Sequence, residues 1–181
     1  MSKRILAAAT VAAAMLLSTV PATAVAAPLS AVATTPVLGD VIPSGYGDLV
    51  FYGVSVQIPQ LPETTFGIKA GARDARGCLT ALVATNETSG SDKAPGFHAV
   101  VGGIGVGGHQ VPTFGYYYGP AAKVTGRIGG TTEVARQARW SEDPNVVVFW
   151  FAPGAADPEN LQAFDAAGVE LPAGNSGVGH G

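Results

Sequence analysis

Cysteine is almost absent from this chain, with Cys78 the only one among 181 residues. No disulfide can form within the chain, so the fold must be held by apolar burial and backbone pairing. Charge is sparse as well. Charged residues make up 13%, with 10 basic against 13 acidic side chains and a formal net charge of −3. So few scattered Lys and Arg exclude an electrostatic footprint for nucleic acid or for an anionic membrane surface. Also missing are G-x-S-x-G, H-E-x-x-H, and any Ser followed by triad partners on recognisable elements. No catalytic residue, cofactor or metal centre is predicted. What the chain does have is 25 Gly, 13 Pro and a hydrophobic content of 47%. That is too apolar for disorder and rich in turn formers.

The N-terminus has the layout of a secretory signal peptide over residues 1–26. Met1-Ser2-Lys3-Arg4 is basic, residues 5–20 are apolar apart from Thr10, Ser18 and Thr19, and Pro21 then breaks any helix. Ala24-Val25-Ala26 is an A-x-A site for cleavage before Ala27. The alternative is a membrane anchor, but the apolar run is short of the roughly 18 residues that suggest a spanning helix. Export by the general route to the cell envelope or medium is expected, with no membrane attachment after cleavage. Removing Lys3 and Arg4 leaves 10 minus 2, or 8, basic groups against 13 acidic, a net charge near −5. The mature chain suffices for one core.

Residues 27–45 are poor in charge and without a steady period, and read as a flexible lead-in ending in an added edge strand. A single β domain is expected over 46–172. In residues 49–58 the even positions Tyr52, Val54, Val56 and Ile58 are apolar. Phe66, Ile68, Ala70 and Ala72 alternate with Thr65, Lys69 and Arg73, the period of a strand with one wet face. Asp74-Ala75-Arg76-Gly77 is turn chemistry, so residues 66–85 read as a hairpin, with Cys78 a buried thiol on its return strand. After a polar loop at 86–96 come a strand at 97–101, a Lys123–Ile128 strand, a Gly129-Gly130 turn and a returning strand at 132–140. Residues 146–151 are apolar on both faces, which marks a doubly covered strand. Residues 161–171 make a closing hairpin around Asp165-Ala166-Ala167-Gly168, Asp157-Pro158 suits one helical turn, and the Gly-rich tail at 173–181 is expected to be disordered. Eight or nine strands at spacings near ten residues predict an all-β, antiparallel β-sandwich of two facing sheets, immunoglobulin-like in general architecture.

Within residues 118–171 the order of features is distinctive. It runs Tyr118-Gly119, a Lys-Val-Thr-Gly-Arg strand, Gly129-Gly130, a strand ending at Trp140, Val-Val-Val-Phe-Trp-Phe-Ala-Pro at 146–153 and Ala-Phe-Asp-Ala-Ala-Gly-Val-Glu-Leu at 163–171. This segment resembles the C-terminal part of exported actinobacterial proteins of unknown function. The resemblance implies a β fold and export, and carries no activity.

Several motifs have bland readings. Gly103-Ile104-Gly105-Val106-Gly107-Gly108 matches G-x-G-x-x-G, but Pro112 opposes the helix that a dinucleotide site requires, so a loop or bulged strand is expected. Leu61-Pro62-Glu63-Thr64-Thr65 approximates a cell-wall sorting signal, yet it is internal and Thr65 stands where Gly is needed. Asn86-Glu87-Thr88 is a glycosylation sequon. His98 and His109 could share a metal across a hairpin, but no acidic or cysteine ligand adjoins them, and His180 lies in the tail. Asp74, Asp143, Asp157 and Asp165 sit where Asp stabilises turns.

Aromatics are the remaining handle. Phe149, Trp150 and Phe151 should fill the core, whereas Tyr116-Tyr117-Tyr118 places two rings on one face of a strand. Tyr116 and Tyr118 are the candidate ligand contacts. The leading expectation is a non-catalytic exported domain with a binding or structural role, its partner a protein or polysaccharide. One alternative is a secreted glycoside or ester hydrolase assembled only in the fold, marked by two facing carboxylates or by His98 and His109 converging on an acid. Another is a carbohydrate-binding module, marked by an exposed row of Tyr116, Tyr118 and a Trp.

Overall fold

The computed structural model describes residues 37–44 and 46–180; the expected signal peptide and residues 27–36 and 45 of the lead-in lie outside the described residues. β1 (Leu38–Ile42), β2 (Asp48–Ser55), β3 (Phe66–Arg73) and β4 (Leu79–Thr85) form one sheet in sequential order. β5 (Gly96–Val101) leads to a small hairpin of β6 (Ile104–Val106) and β7 (His109–Val111), then to β8 (Phe114–Tyr118). β9 (Lys123–Ile128), β10 (Thr131–Val134), β11 (Arg136–Arg139), β12 (Val146–Trp150) and β13 (Glu159–Phe164) complete the chain order. The second sheet has order β11–β12–β8–β5 and the third β10–β9–β13. Every strand pair is antiparallel, and no helix occurs among the described residues. The all-β, antiparallel expectation holds. Thirteen strands form among the described residues, against the eight or nine expected.

The second sheet is central. Val146, Val148, Trp150 and Tyr116 join Leu49, Phe51 and Ile68 of the first sheet in one core. Val147, Phe149, Phe151 and Tyr117 join Val124, Leu161 and Ala163 of the third in another. Residues 146–151 are therefore doubly covered, as their unbroken apolar run requires. The consequence is three layers where two facing sheets were expected. The first and second sheets enclose the larger core as in a β-sandwich, and the third closes the far face.

Three local readings are corrected. On β2 Leu49 and Phe51 enter the first core, while Val50 and Tyr52 are buried on the other face and Val54 is only partly buried. The run is apolar on both faces, and the register chooses: Phe51 and Leu49 lie opposite Ala70 and Ala72 of β3. The single strand expected at 132–140 is two, because the chain leaves the third sheet at Ala135 and enters the second as β11. Asp157-Pro158 starts no helical turn; Glu159 opens β13 directly. The Gly103–Gly108 tract, in turn, folds as the β6–β7 hairpin, with Gly107 and Gly108 taking φ of +56° and +80° at its turn. Only residues that tolerate the left-handed region fit there.

The tail is ordered, contrary to expectation. Ala173 O accepts from Phe97 N, Asn175 N donates to Phe97 O, and Gly179 bonds both Val100 O and Gly102 N. Residues 173–180 thus lie along the outer edge of β5 and satisfy groups that an edge strand would leave open.

Cys78 is exposed rather than buried. The turn is longer than its Gly suggested: Asp74 Oδ1 accepts from both Arg76 N and Cys78 N, so β4 begins only at Leu79. One thiol per chain should therefore react with an aromatic disulfide reagent in native buffer. Protection that persists until denaturant is added would contradict this placement.

Candidate functional site

The densest polar cluster lies in the β4–β5 connection and is almost entirely buried. Glu87, at 2% exposure, sets its Oε2 2.7 Å from His98 Nδ1. Its Oε1 accepts from Thr88 N, Ser89 N and Ser89 Oγ at 2.8–3.0 Å. The other His98 nitrogen, Nε2, lies 2.6 Å from Ala94 O. Both ring nitrogens thus face oxygen acceptors. Satisfying both requires an N–H at each, which is the imidazolium form, with Glu87 as its counter-charge. Burial pushes the Glu87 pKa up, but the bonds from His98, Ser89 and Thr88 outweigh it and hold the carboxyl below its usual range.

Asp92 Oδ2 accepts from Thr65 N, Thr65 Oγ1 and Phe66 N, while Thr64 Oγ1 donates to Glu87 O. The Leu61–Thr65 stretch that resembled a sorting signal is in fact the wall on which this loop is fastened. Tyr116 completes the cluster. Its hydroxyl donates to Asp92 O at 3.2 Å, and its ring stacks on His98 at 5.0 Å and 12°, within cation–π range. Burial, reinforced by the Asp92 and Glu87 charges, drives its pKa far upward, so it stays a phenol. Chemically this is a brace: Glu87 faces His98, the Asp92 carboxylate is held by three neutral donors of Thr65 and Phe66, and the acceptors belong to the loop itself. It does the mechanical work that a disulfide does elsewhere.

The other sequence candidates are dispersed. His109 is buried, with Nδ1 2.9 Å from Ser44 Oγ and no convergence on His98. Among the described residues no group of three His, Cys, Asp or Glu side chains is placed to hold a metal. Asp74, Asp143 and Asp165 close their own turns as expected. Asp157 instead reaches across, with Oδ1 accepting from Gly103 N and Thr113 Oγ1 and Oδ2 3.5 Å from the exposed His180.

Tyr116 is 0% exposed and Tyr118 only partly so, packed against the first core. Trp140 and Trp150 are buried too. No flat exposed row of these rings exists, so Tyr116 cannot stack on a ligand as expected. The β8 strand runs through the middle of the doubly covered sheet, and both faces of the triplet turn inward, with Tyr117 donating to Pro172 O.

A cavity of about 330 Å³ opens elsewhere, at the end of the first core. Ile42 at the end of β1 and Pro43 after it, Val134 of β10, and Phe151 and Pro153 beyond β12 supply apolar walls. Glu133, Arg136 and Trp150 supply the polar ones. Trp150 is 1% exposed and its Nε1 has no hydrogen-bond partner among the described residues. Leaving such a donor dry costs about 1–3 kcal/mol. A smaller cavity of about 180 Å³ shares Ile42, Pro43 and Pro153 and extends to His109. The larger volume reaches the low end of the range of small-molecule sites.

Sequence reasoning placed Trp150 in the core but had no means of finding that its N–H lacks a hydrogen-bond partner among the described residues, which depends on contacts made across the fold. Glu87 and Asp92 were hidden in a loop read simply as polar; an acid there looks the same whether it faces solvent or a buried imidazole. Compared with known proteins, the chain matches no family model, no curated protein and no solved structure.

Proposed function

We propose that this is an exported, non-catalytic β protein of the cell envelope or medium that acts by binding. One observation carries the reading: a cavity of about 330 Å³ with walls at Ile42, Pro43, Phe151 and Pro153 opens on a scaffold whose buried His and Glu groups are committed to partners within the protein. His98 and Glu87 are tied to each other and to loop backbone, and His109 to Ser44. That supports the binding role over a hydrolase, which needs its acid and base free to face a substrate. Burial of Tyr116 supports a cavity ligand over a polysaccharide laid on a flat aromatic strip. The signal layout of residues 1–26, and the resemblance to exported actinobacterial proteins, support export with cleavage before Ala27. The immunoglobulin-like arrangement belongs, in this reading, to the first two sheets, with the third an addition.

Expression of the full chain in an exporting bacterium tests the proposal. Mature protein beginning at Ala27 should accumulate outside the cytoplasm, and chromogenic glycosides and esters should not be turned over. Retention with Met1 intact, or turnover that disappears in a His98→Gln variant, would overturn it.

A further inference from the structure

Tyr46 is the most exposed large apolar side chain among the described residues, at 72%, and none of the others so exposed is aromatic. It is nonetheless held in place. A Cβ added at Gly108 would lie 2.8 Å from Cδ2 and Cε2 of the Tyr46 ring and 3.1 Å from its Cγ. Three ring carbons come so close together only when approached from above the ring plane. One face of Tyr46 therefore lies on the Gly108 backbone at the β6–β7 turn, and the other is left to solvent. The His109 ring meets Tyr46 edge-on, with centroids 6.0 Å apart and planes at 64°. Ser44 ties the same turn from within. Its Oγ stands 2.5 Å from Gly47 O, a separation that two oxygens reach only with a proton between them. Ser44 Oγ thus donates to Gly47 O, and accepts from Tyr46 N at 3.3 Å and from His109 Nδ1 at 2.9 Å. An open ring face fixed in this way is ordered before any ligand arrives, which lowers the cost of binding.

The cavity of about 180 Å³ beside it is lined by Gly108, His109, Gln110 and Ser44 together with apolar Ile42 and Leu49. No Asp, Glu, Lys or Arg lines it, so a charged ligand would find no counter-charge. The exposed Gln110 supplies an uncharged amide that both donates and accepts. An open aromatic face next to apolar walls and an amide calls for a ligand with a C–H face and a rim of hydroxyls. A sugar ring has both, and its axial C–H groups carry the partial positive charge that the negative face of an aromatic ring attracts.

We infer that Tyr46 is the platform on which a single uncharged pyranose ring stacks, with its hydroxyls meeting the Gln110 amide at the mouth of the adjoining cavity. The inference rests on the binding role proposed above and names its ligand class. One ring is expected rather than a chain of them, because no second exposed aromatic extends the platform. The cavity is also smaller than the roughly 300–1,000 Å³ of small-molecule sites, so it takes in only an edge of the ligand.

The test is an NMR titration of the 15N-labelled chain, following the assigned backbone amides. The probes are methyl β-glucoside and methyl β-galactoside, with methyl β-glucuronide and benzyl alcohol as the charged and the aromatic comparison. At least one of the two uncharged glycosides should shift the Gly108 and Gln110 amides and saturate at a Kd of roughly millimolar. Tyr46→Leu keeps an apolar cover on Gly108 but has no flat face, and should weaken binding about tenfold or more. Tyr46→Phe should bind as wild type does, since the ring and not its hydroxyl makes the contact. Gln110→Ala should weaken binding, and unchanged affinity there overturns its assignment as the hydroxyl partner. Unchanged affinity in Tyr46→Leu overturns the platform. A response to the glucuronide or to benzyl alcohol as strong as that to the glycosides overturns the uncharged-sugar class and leaves the binding role standing. Saturable shifts at Val134 and Ala152 with none at Gly108 overturn the platform and keep the binding role at the larger cavity. No saturable shift with any probe overturns this inference, and the proposed function is then judged on its own export and turnover test.

Discussion

Replacing His98 with alanine is expected to cost about 3–5 kcal/mol, because it leaves the Glu87 carboxylate buried without its cation. For a domain of this length that corresponds to a fall of roughly 6–20 °C in Tm, read by calorimetry or near-ultraviolet circular dichroism. The loss has several parts. Ala94 O loses its donor, the stacked face of Tyr116 loses its partner, and Glu87 either stays charged in the interior or takes up a proton. Replacing both members, as in Glu87→Leu with His98→Phe, should cost less than the sum of the singles, since no uncompensated charge remains. A His98→Ala loss below about 1 kcal/mol would show that the loop opens to water and that the pair is no brace. The same pair predicts an acid limit. The folded-state pKa of Glu87 lies below the ordinary range of a glutamate, so its contribution is complete above that range and fades as pH falls through the lower, folded-state value. Wild type should therefore lose stability toward low pH more steeply than a Glu87→Gln variant.

A comparable effect is expected from one methyl group at Gly96. That residue has φ of +135°, and a Cβ there would lie 2.5 Å from Gly174 Cα and 2.7 Å from its nitrogen. Backbone cannot yield as a flexible side chain does, so Gly96→Ala should push the tail off β5. Strain at that φ alone costs about 1–3 kcal/mol. The amides of Phe97 and Gly102, which donate to Ala173 O and Gly179 O, should lose hydrogen-exchange protection. Proteases should then trim residues 173–180, and the bared edge should promote self-association. Gly177→Ala is the control, since its Cβ would meet nothing closer than 3.8 Å. If Phe97 and Gly102 stay protected in Gly96→Ala, the tail does not depend on this close approach.

Much of the β character was readable in residues with unambiguous alternation. Phe66, Ile68 and Ala70 face the core as their spacing requires, and the 66–85 and 123–134 hairpins form around the expected turns. Where both faces were apolar, alternation carried no information. Leu49 and Tyr52 of β2 compete for the same role, and only pairing with β3 decides between them. Likewise the run 132–140 looks like one strand, because nothing local marks Ala135 as the point where it changes sheets. The tail looked featureless for a related reason. Its contacts run through backbone groups, which every residue has, and glycine is required there only because another backbone passes within reach.

By itself, the sequence determined that this chain builds antiparallel sheets, that residues 146–151 are covered on both sides, and that no internal cross-link holds them. Local periodicity and cysteine count suffice for those statements, because they concern single segments. Tertiary structure alone decided that three sheets stack, that His98 meets Glu87, and that the Trp150 N–H has no hydrogen-bond partner among the described residues. Each of those depends on residues far apart in the chain, and burial sets the energy of each. A charge or a donor has the same composition in water and in a core, but only in the core does its partner, or the want of one, govern stability and binding.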